Sequence, residues 1–184
     1  MLHGVLVDVF GVGVLLLGES GTGKSECALD LVSRGHRLVA DDVVEVVRQG
    51  EAIIIGRGSA QARHHMEVRG LGIINVRELF GVTAIRYRKR IELVIQLEPW
   101  RPDAEYDRLG IEEQTQVILG VAIPRLCVPV SAGRSIAILV EVAARNHLLK
   151  LMGVHAARSF LADLGKVGGG GKGEPPSFSR EDIE

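Results

Sequence analysis

Residues Gly18-Glu19-Ser20-Gly21-Thr22-Gly23-Lys24-Ser25 spell G-x-x-x-x-G-K-[ST] without a gap, and this octapeptide limits the fold more than anything else in the chain. Such a loop works only between a strand and a helix. Its glycines let successive backbone N–H groups turn inward around a phosphate chain. The helix that follows aims the positive end of its dipole at the same point. Lys24 is then a point charge for the outer phosphates, and Ser25 a hydroxyl ligand for Mg²⁺. The flanks agree. Residues 14–17 form a short continuous apolar run, as expected of a strand covered on both faces. From Lys24 to Ser33, the apolar Ala28, Leu29, Leu31 and Val32 fall on one side of a helix, and Gly35 is its stop.

The remaining pattern interleaves strands and helices, which defines the α/β class. Val5–Val9 reads as a strand and residues 10–13 as its turn. Arg37–Ala40 is a further strand ending in Asp41-Asp42, and residues 43–47 and 52–55 form a hairpin. A polar loop covers 59–65, and Gly70 and Gly72 put a sharp turn inside 66–76. Residues 91–97 and 126–130 are strands; 98–110, with Pro99 and Pro102, is expected to be a long surface loop. A helix is expected from Ser135 to Met152 with Ile136, Leu139, Val140, Ala143, His147, Leu148 and Leu151 on its apolar face. A second follows at 156–164 and stops at Gly165. The expected organisation is one domain over 1–165 and a disordered, glycine- and proline-rich tail over 166–184.

Balance excludes several function classes. Twenty-two Lys+Arg against 23 Asp+Glu leave a net charge of −1 in 184 residues, which argues against general nucleic-acid or membrane-surface binding. Seven aromatic residues, four Phe, two Tyr and one Trp, are too few for a base-stacking platform. Cys27 and Cys127 lie far apart with no metal-ligand spacing, which fits a reducing, cytoplasmic setting. No run approaches the roughly 18 apolar residues of a membrane span.

Several other residues carry chemistry. Asp41-Asp42 ends a strand, so its carboxylates face opposite ways. One can stay near the metal while the other takes a proton from a hydroxyl nucleophile, and the dipeptide itself does not say which. Glu67 is a candidate for the Mg²⁺ shell and Arg69 for the transferred phosphate, although by themselves they read as a surface ion pair. Arg108, Arg134 in its glycine-flanked loop, and His3 at the head of the first strand are anion candidates of the same grade. His36 reads as structural, and His64-His65 lacks metal spacing. On these residues alone, a small-metabolite kinase and a nucleotide-dependent switch stay open beside a kinase acting on protein.

Taken together, the order of the pieces resembles the bacterial HPr kinase/phosphorylase family. The matching stretches are His3-Gly4-Val5-Leu6-Val7-Asp8, the octapeptide, residues 34–42 (RGHRLVADD), 67–76 (EVRGLGIINV), 106–110 (YDRLG), and 129–134 followed by EVAA at 141–144. The resemblance implies a P-loop core similar to that of phosphoenolpyruvate carboxykinase, with a mixed sheet and C-terminal helices. It implies a cytoplasmic, Mg²⁺-dependent homohexamer acting in carbon catabolite repression. The implied enzyme phosphorylates a serine of HPr with ATP or pyrophosphate, and removes the group by phosphorolysis with inorganic phosphate. It further implies that His3, Lys24, Asp42 and Arg108 are catalytic, with Asp41 the alternative to Asp42. Ser25 and Glu67 would ligate the metal. Pro129, Val130, Ser131, Ala132, Gly133 and Arg134 would serve dephosphorylation. Two departures stand out: Arg145-Asn146-His147 replaces the family's usual Met-Asn-Phe, and the sequence opens at His3's segment, where the family usually has a preceding N-terminal domain, so the chain is expected to be either a C-terminal catalytic part of a longer protein or a naturally short member.

Overall fold

The computed structural model describes residues 1–101, 114–131 and 133–168. Its centre is a mixed six-stranded sheet. In chain order the strands are β1 (Leu2–His3), β2 (Val5–Val9), β3 (Val12–Leu17), β4 (Arg37–Ala40), β5 (Val43–Gln49), β6 (Ile53–Gly58), β7 (His65–Val68), β8 (Gly72–Asn75), β9 (Arg88–Arg90), β10 (Leu93–Pro99), β11 (Gln114–Ile118) and β12 (Val121–Val130). The helices are α1 (Lys24–Ser33), α2 (Val76–Phe80), α3 (Ile136–Leu151) and α4 (Ala156–Gly168), with a 3-10 turn at Val82–Ala84. The central sheet runs β11-β12-β10-β3-β2-β4, a second sheet runs β1-β5-β6-β9, and β7-β8 is a separate hairpin.

Strand alternation divides the core into two layers. Val5, Val7, Val14, Leu16, Ile95 and Leu97 face α1 and α3 and pack with Ala28, Leu31, Val140 and Ala144. Leu6, Leu15 and Val94 face the other way, onto Val44, Ile54 and Ile91 of the second sheet region. The central sheet is therefore covered on both faces, which accounts for its near-continuous apolar sequence.

Strand direction does the most for function. β3, β10 and β12 are mutually parallel. β2 is antiparallel to both β3 and β4, so β4 points the same way as they do. The carboxyl ends of four strands, at Leu17, Ala40, Pro99 and Val130, thus share one edge with His3, which leads into the oppositely directed β2. Ligands of open α/β sheets bind outside that edge. Every motif singled out above follows one of those strands or precedes β2, except the β7–β8 hairpin, which is brought in from the side.

Several boundaries differ from expectation. β3 begins at Val12, not 14, because Phe10 and Gly11 alone make the turn, with φ of 52° and 84°. Glu98 and Pro99 belong to β10 rather than to a loop; Pro99 sits at the strand's last position, where a missing N–H costs nothing. β1, α2, β9 and β11 carry too little periodicity to be seen in sequence. On α3 the buried residues are Ala137, Val140 and Ala144; Leu151 shares their stripe but is exposed in the helix's last turn. Ser135 caps it as expected, accepting from the Ile138 N–H at 3.5 Å. α4 continues through Gly165 to Gly168; one interior glycine costs only about 1 kcal/mol. Arg108 and the tail beyond 168 lie outside the described residues.

Candidate active site

The octapeptide leaves β3 and enters α1 as expected, and Gly18 shows why glycine is needed. Its φ is 150°, and a Cβ there would lie 2.6 Å from the Leu97 carbonyl oxygen of β10. Gly23 (φ 89°) caps α1 without a side-chain bond, so the first N–H groups of the helix point freely into the loop. Thr22 braces the turn by donating from Oγ1 to the Glu19 carbonyl at 2.9 Å. Lys24 is buried, and its Nζ donates to the Gly18 and Glu19 carbonyls at 2.8 and 2.9 Å. The ammonium is therefore held at the mouth of the loop by two neutral acceptors, with no carboxylate partner among the described residues, which leaves its charge for an anion.

The aspartate pair divides, though by a different device from strand alternation. β4 ends at Ala40, and Asp42 (φ 66°) is the centre of a turn closed by the Val43 N–H donating to the Asp41 carbonyl at 2.8 Å. This i→i+2 bond around a positive φ is the rare form of the γ-turn. Aspartate tolerates that region better than a β-branched residue. The turn sends the two side chains into different surroundings. Asp41 is 7% exposed. Its Oδ1 accepts from Ser25 Oγ at 2.9 Å and its Oδ2 from the Glu67 N–H at 3.2 Å. Burial raises its pKa above the ordinary carboxylate range, opposed by those two bonds and reinforced by the Asp42 charge. Asp42 instead lies at the surface with Oδ1 3.1 Å from His3 Nδ1. Its own carbonyl accepts from the Gly4 N–H at 2.9 Å, tying the turn to the head of β2.

The hairpin β7–β8 supplies the third wall. The Glu67 N–H fastens it to Asp41, and Arg69 at its tip hangs over the loop: a Cβ on Gly21 would lie 3.3 Å from Arg69 Nη2. Arg69 makes no ion pair among the described residues, so its reading as half of a surface pair is corrected. Nothing in the sequence spacing relates residue 69 to residue 21; only the hairpin does.

From the far side, Val130, Arg134 and Ser135 come beside Gly21, Thr22 and Gly23 across a groove. Ala132 of that segment lies outside the described residues, as does Arg108. His36 is structural, as expected: it is buried, and its Nε2 lies 2.8 Å from Glu141 Oε1 of α3. The departure at Arg145 has a local partner, with its guanidinium 4.3 Å from the Phe10 ring centroid. Cys27 is buried, and its thiol pKa is pushed up to about 12, so it is inert packing.

The donor set also bears on a metal. Ser25 Oγ and the Asp41 carboxylate are in contact, and the carboxylate of Glu67 belongs to the residue whose N–H binds Asp41. These are hard oxygen donors of the kind Mg²⁺ takes, beside a loop whose phosphates would complete its shell.

Fold and site together define an α/β domain of the P-loop class, with a phosphate cradle, a buried carboxylate at its serine and an exposed carboxylate one residue further on. Within that class the chain belongs to the family described as the HPr Serine kinase C-terminal domain, which matches residues 1–164. It is 58% identical over 159 residues to the HPr kinase/phosphorylase of Geobacter sulfurreducens, covering 86% of this chain and 50% of that protein. With the HPr kinase/phosphorylase of Geobacillus thermodenitrificans it shares 57% over 163 residues, 89% of this chain and 53% of the other. Among solved structures, the Hpr(Ser) kinase/phosphatase from Coxiella burnetii superposes with a TM-score of 0.77 at 34% identity, covering 86% of this chain and 96% of that one. The mixed sheet with C-terminal helices is thus the fold the resemblance implied. The chain spans about half the length of the curated relatives it matches.

Proposed function

We propose that this chain carries the catalytic half of an HPr kinase/phosphorylase. It moves the terminal phosphoryl group of ATP or pyrophosphate onto a serine hydroxyl of HPr. In reverse it moves the group from phosphoserine onto inorganic phosphate, giving pyrophosphate. The observation that carries this reading is the split of Asp41 from Asp42. A nucleotide switch needs only the buried carboxylate, whereas a transferase to a hydroxyl also needs an accessible base on the acceptor side.

Lys24 exchanges its two carbonyl partners for oxygens of the donor's outer phosphates. Ser25, Asp41 and Glu67 would hold Mg²⁺, which supplies charge neutralisation between those phosphates. Asp42 accepts the serine proton as phosphate arrives and returns it when serine leaves, as reversibility requires. His3 orients the Asp42 carboxylate. Arg69 over Gly21, and Arg108, offset charge on the transferred group. Pro129–Val130 and the turn to Arg134 serve the reverse direction, in keeping with their place across the groove from the loop.

The apolar residues that α3 and α4 leave exposed, including Ile138, Val142, Phe160, Leu161 and Leu164, are in keeping with burial against further subunits, and the homohexamer follows from the family resemblance. A cytoplasmic location without membrane or nucleic-acid partners is in keeping with the charge balance. Among the described residues no helix is long and apolar enough to cross a membrane.

The test is the mass of HPr mixed with this chain, Mg²⁺ and ATP, before and after addition of inorganic phosphate. A gain of one phosphoryl group with ATP, then its loss with release of pyrophosphate, is expected; absence of the first step refutes the kinase and of the second the phosphorylase. Arg134→Ala should slow the phosphate-driven loss about tenfold more than the forward step, and equal slowing in both directions would refute the division of roles.

A further inference from the structure

Glu141 stands on the packing face of α3, where a carboxylate is out of place. It follows Ala137 by one helical turn and lies beside Val140 and Ala144 in the buried stripe. Its side chain is 20% exposed, and taking a charge that far out of water costs free energy unless partners compensate. Two do. Nε2 of the buried His36 lies 2.8 Å from Glu141 Oε1, and Arg34 Nη1 lies 3.7 Å from Oε2. An apolar residue of similar volume would fill such a place at equal or greater stability. The carboxylate therefore needs a reason besides packing.

Its partners supply one. Arg34 is the C-cap of α1, and His36 precedes β4, its N–H donating to the Leu31 carbonyl at 3.0 Å. α1 begins at the phosphate loop and β4 ends just before Asp41, so the helix and the strand that lead to those groups share this corner. α1 has ten residues and is about 15 Å long, which sets the corner at the opposite edge of the sheet from Lys24. One turn beyond Glu141, the Arg145 guanidinium lies 4.3 Å from the Phe10 ring centroid, and Phe10 meets the His36 ring edge-on at 4.6 Å. Glu141, His36, Phe10 and Arg145 thus close a circuit that seats α3 on the α1–β4 corner and the β2–β3 turn.

That seat bears on Arg134, which immediately precedes the cap of α3. Arg134 makes no ion pair among the described residues, so its place across the groove from Gly21, Thr22 and Gly23 follows from where the first turn of α3 sits. The apolar contact near that turn is made by small side chains, Ala137 and Ala144. Methyl contacts are non-directional and let a helix slide or turn; a hydrogen bond is directional and does not. We propose that Glu141 is a positioning residue: through His36 it fixes the seat of α3 and so holds Arg134 in register with the phosphate loop for the phosphate-driven direction. The inference rests on the role proposed above for the 129–134 segment. It asks nothing of Lys24, Ser25 or Asp41, which the loop, α1 and β4 hold among themselves.

The experiment measures initial rates of the full chain in both directions, HPr with Mg²⁺ and saturating ATP, and phosphoserine-HPr with inorganic phosphate. Glu141→Ala is expected to slow the phosphate-driven reaction about tenfold and the forward one about twofold or less. Glu141→Gln, which keeps an oxygen facing His36, should restore the phosphate-driven rate to within about threefold of wild type. In an Arg134→Ala background, Glu141→Ala should have no further effect, since both changes remove one reach. Equal slowing in both directions, an unchanged phosphate-driven rate, no rescue by glutamine, or a further loss of about tenfold in the double variant overturns the positioning role. Absence of the phosphate-driven reaction in wild type overturns the role of the 129–134 segment, and this inference with it. Should Glu141→Ala lose cooperative unfolding, Glu141→Leu, which refills the space, decides by the same criterion.

Discussion

Asp41 and Asp42 share a peptide bond and almost nothing else. Asp41 is enclosed, with each carboxylate oxygen bonded, one to the Ser25 hydroxyl and the other to the Glu67 N–H. The Asp42 side chain is 69% exposed, with the half-exposed His3 beside it. The contrast extends to their surroundings. The proposed donor side, with Lys24, Ser25 and Asp41, is hydrogen-bonded and largely buried, so its geometry is preset. The proposed acceptor side, with Asp42 and His3, is open at the rim of the sheet, where a protein surface can approach. A buried carboxylate serves position and charge; an exposed one can exchange a proton with an incoming hydroxyl. One γ-turn separates the two tasks.

The sharpest way to break the comparison is Asp42→Asn. Turnover with HPr should fall about 10²–10⁴-fold in both directions, while ADP affinity and melting temperature stay at wild-type values. Loss of nucleotide binding in that variant would mean that the two sides are not separate. Asp41→Asn should do the opposite, weakening Mg²⁺-dependent ADP binding about 10–100-fold without lowering stability. The sign follows from burial. The raised pKa means that the folded chain takes up a proton more readily than the unfolded chain does. The contribution of Asp41 to metal-free stability is therefore greatest below the unfolded carboxylate pKa, and is lost as pH rises through the raised value. Asparagine removes that slope, since its oxygen can accept the Glu67 N–H and its NH₂ can donate to Ser25. Calorimetric melts from about pH 3 to 7 should show a steeper decline in wild type than in the variant; parallel curves would disprove it.

Arg69→Ala tests the third wall. A loss of about tenfold or more in kcat is expected, with little change in melting temperature, because the side chain is exposed and makes no ion pair among the described residues. An unchanged kcat would return Arg69 to the solvent. The smallest effect belongs to His3→Gln, about fivefold or less in kcat, as fits an exposed pair. A loss as large as that of Asp42→Asn would instead make His3 a second proton carrier.

Much of the donor side is legible in the sequence alone. The octapeptide needs a strand before it and a helix behind it, so Gly18 to Ser33 could be laid out from residue types alone, and Gly35 ended the helix where expected. Ser135 and the spacing behind it placed α3. The misses have a common cause. β1 and β9 are short edge strands whose partners in β5 and β6 lie far away in sequence, and β11, paired with the adjacent β12, is an edge strand too polar to read as one. Leu151 lies on the buried stripe of α3, seven residues beyond Ala144, yet is exposed because it sits in the last turn of the helix, and periodicity does not say where the core ends. Asp41 and Asp42 could be paired with the loop but not told apart, because the distinction comes from a backbone turn that no spacing encodes.

The sequence by itself determined the chemistry of the phosphate loop, the α/β class and the family, because those depend on local contiguity: eight residues in order, each with a fixed duty. The tertiary structure alone decided which carboxylate is buried, that Arg69 reaches over Gly21, and that a groove opens between the loop and Arg134. The physical reason is strand direction. Four parallel carboxyl ends bring residues 18, 41, 99 and 130 to one edge. Burial, and with it charge and reach, is set only where separate segments meet.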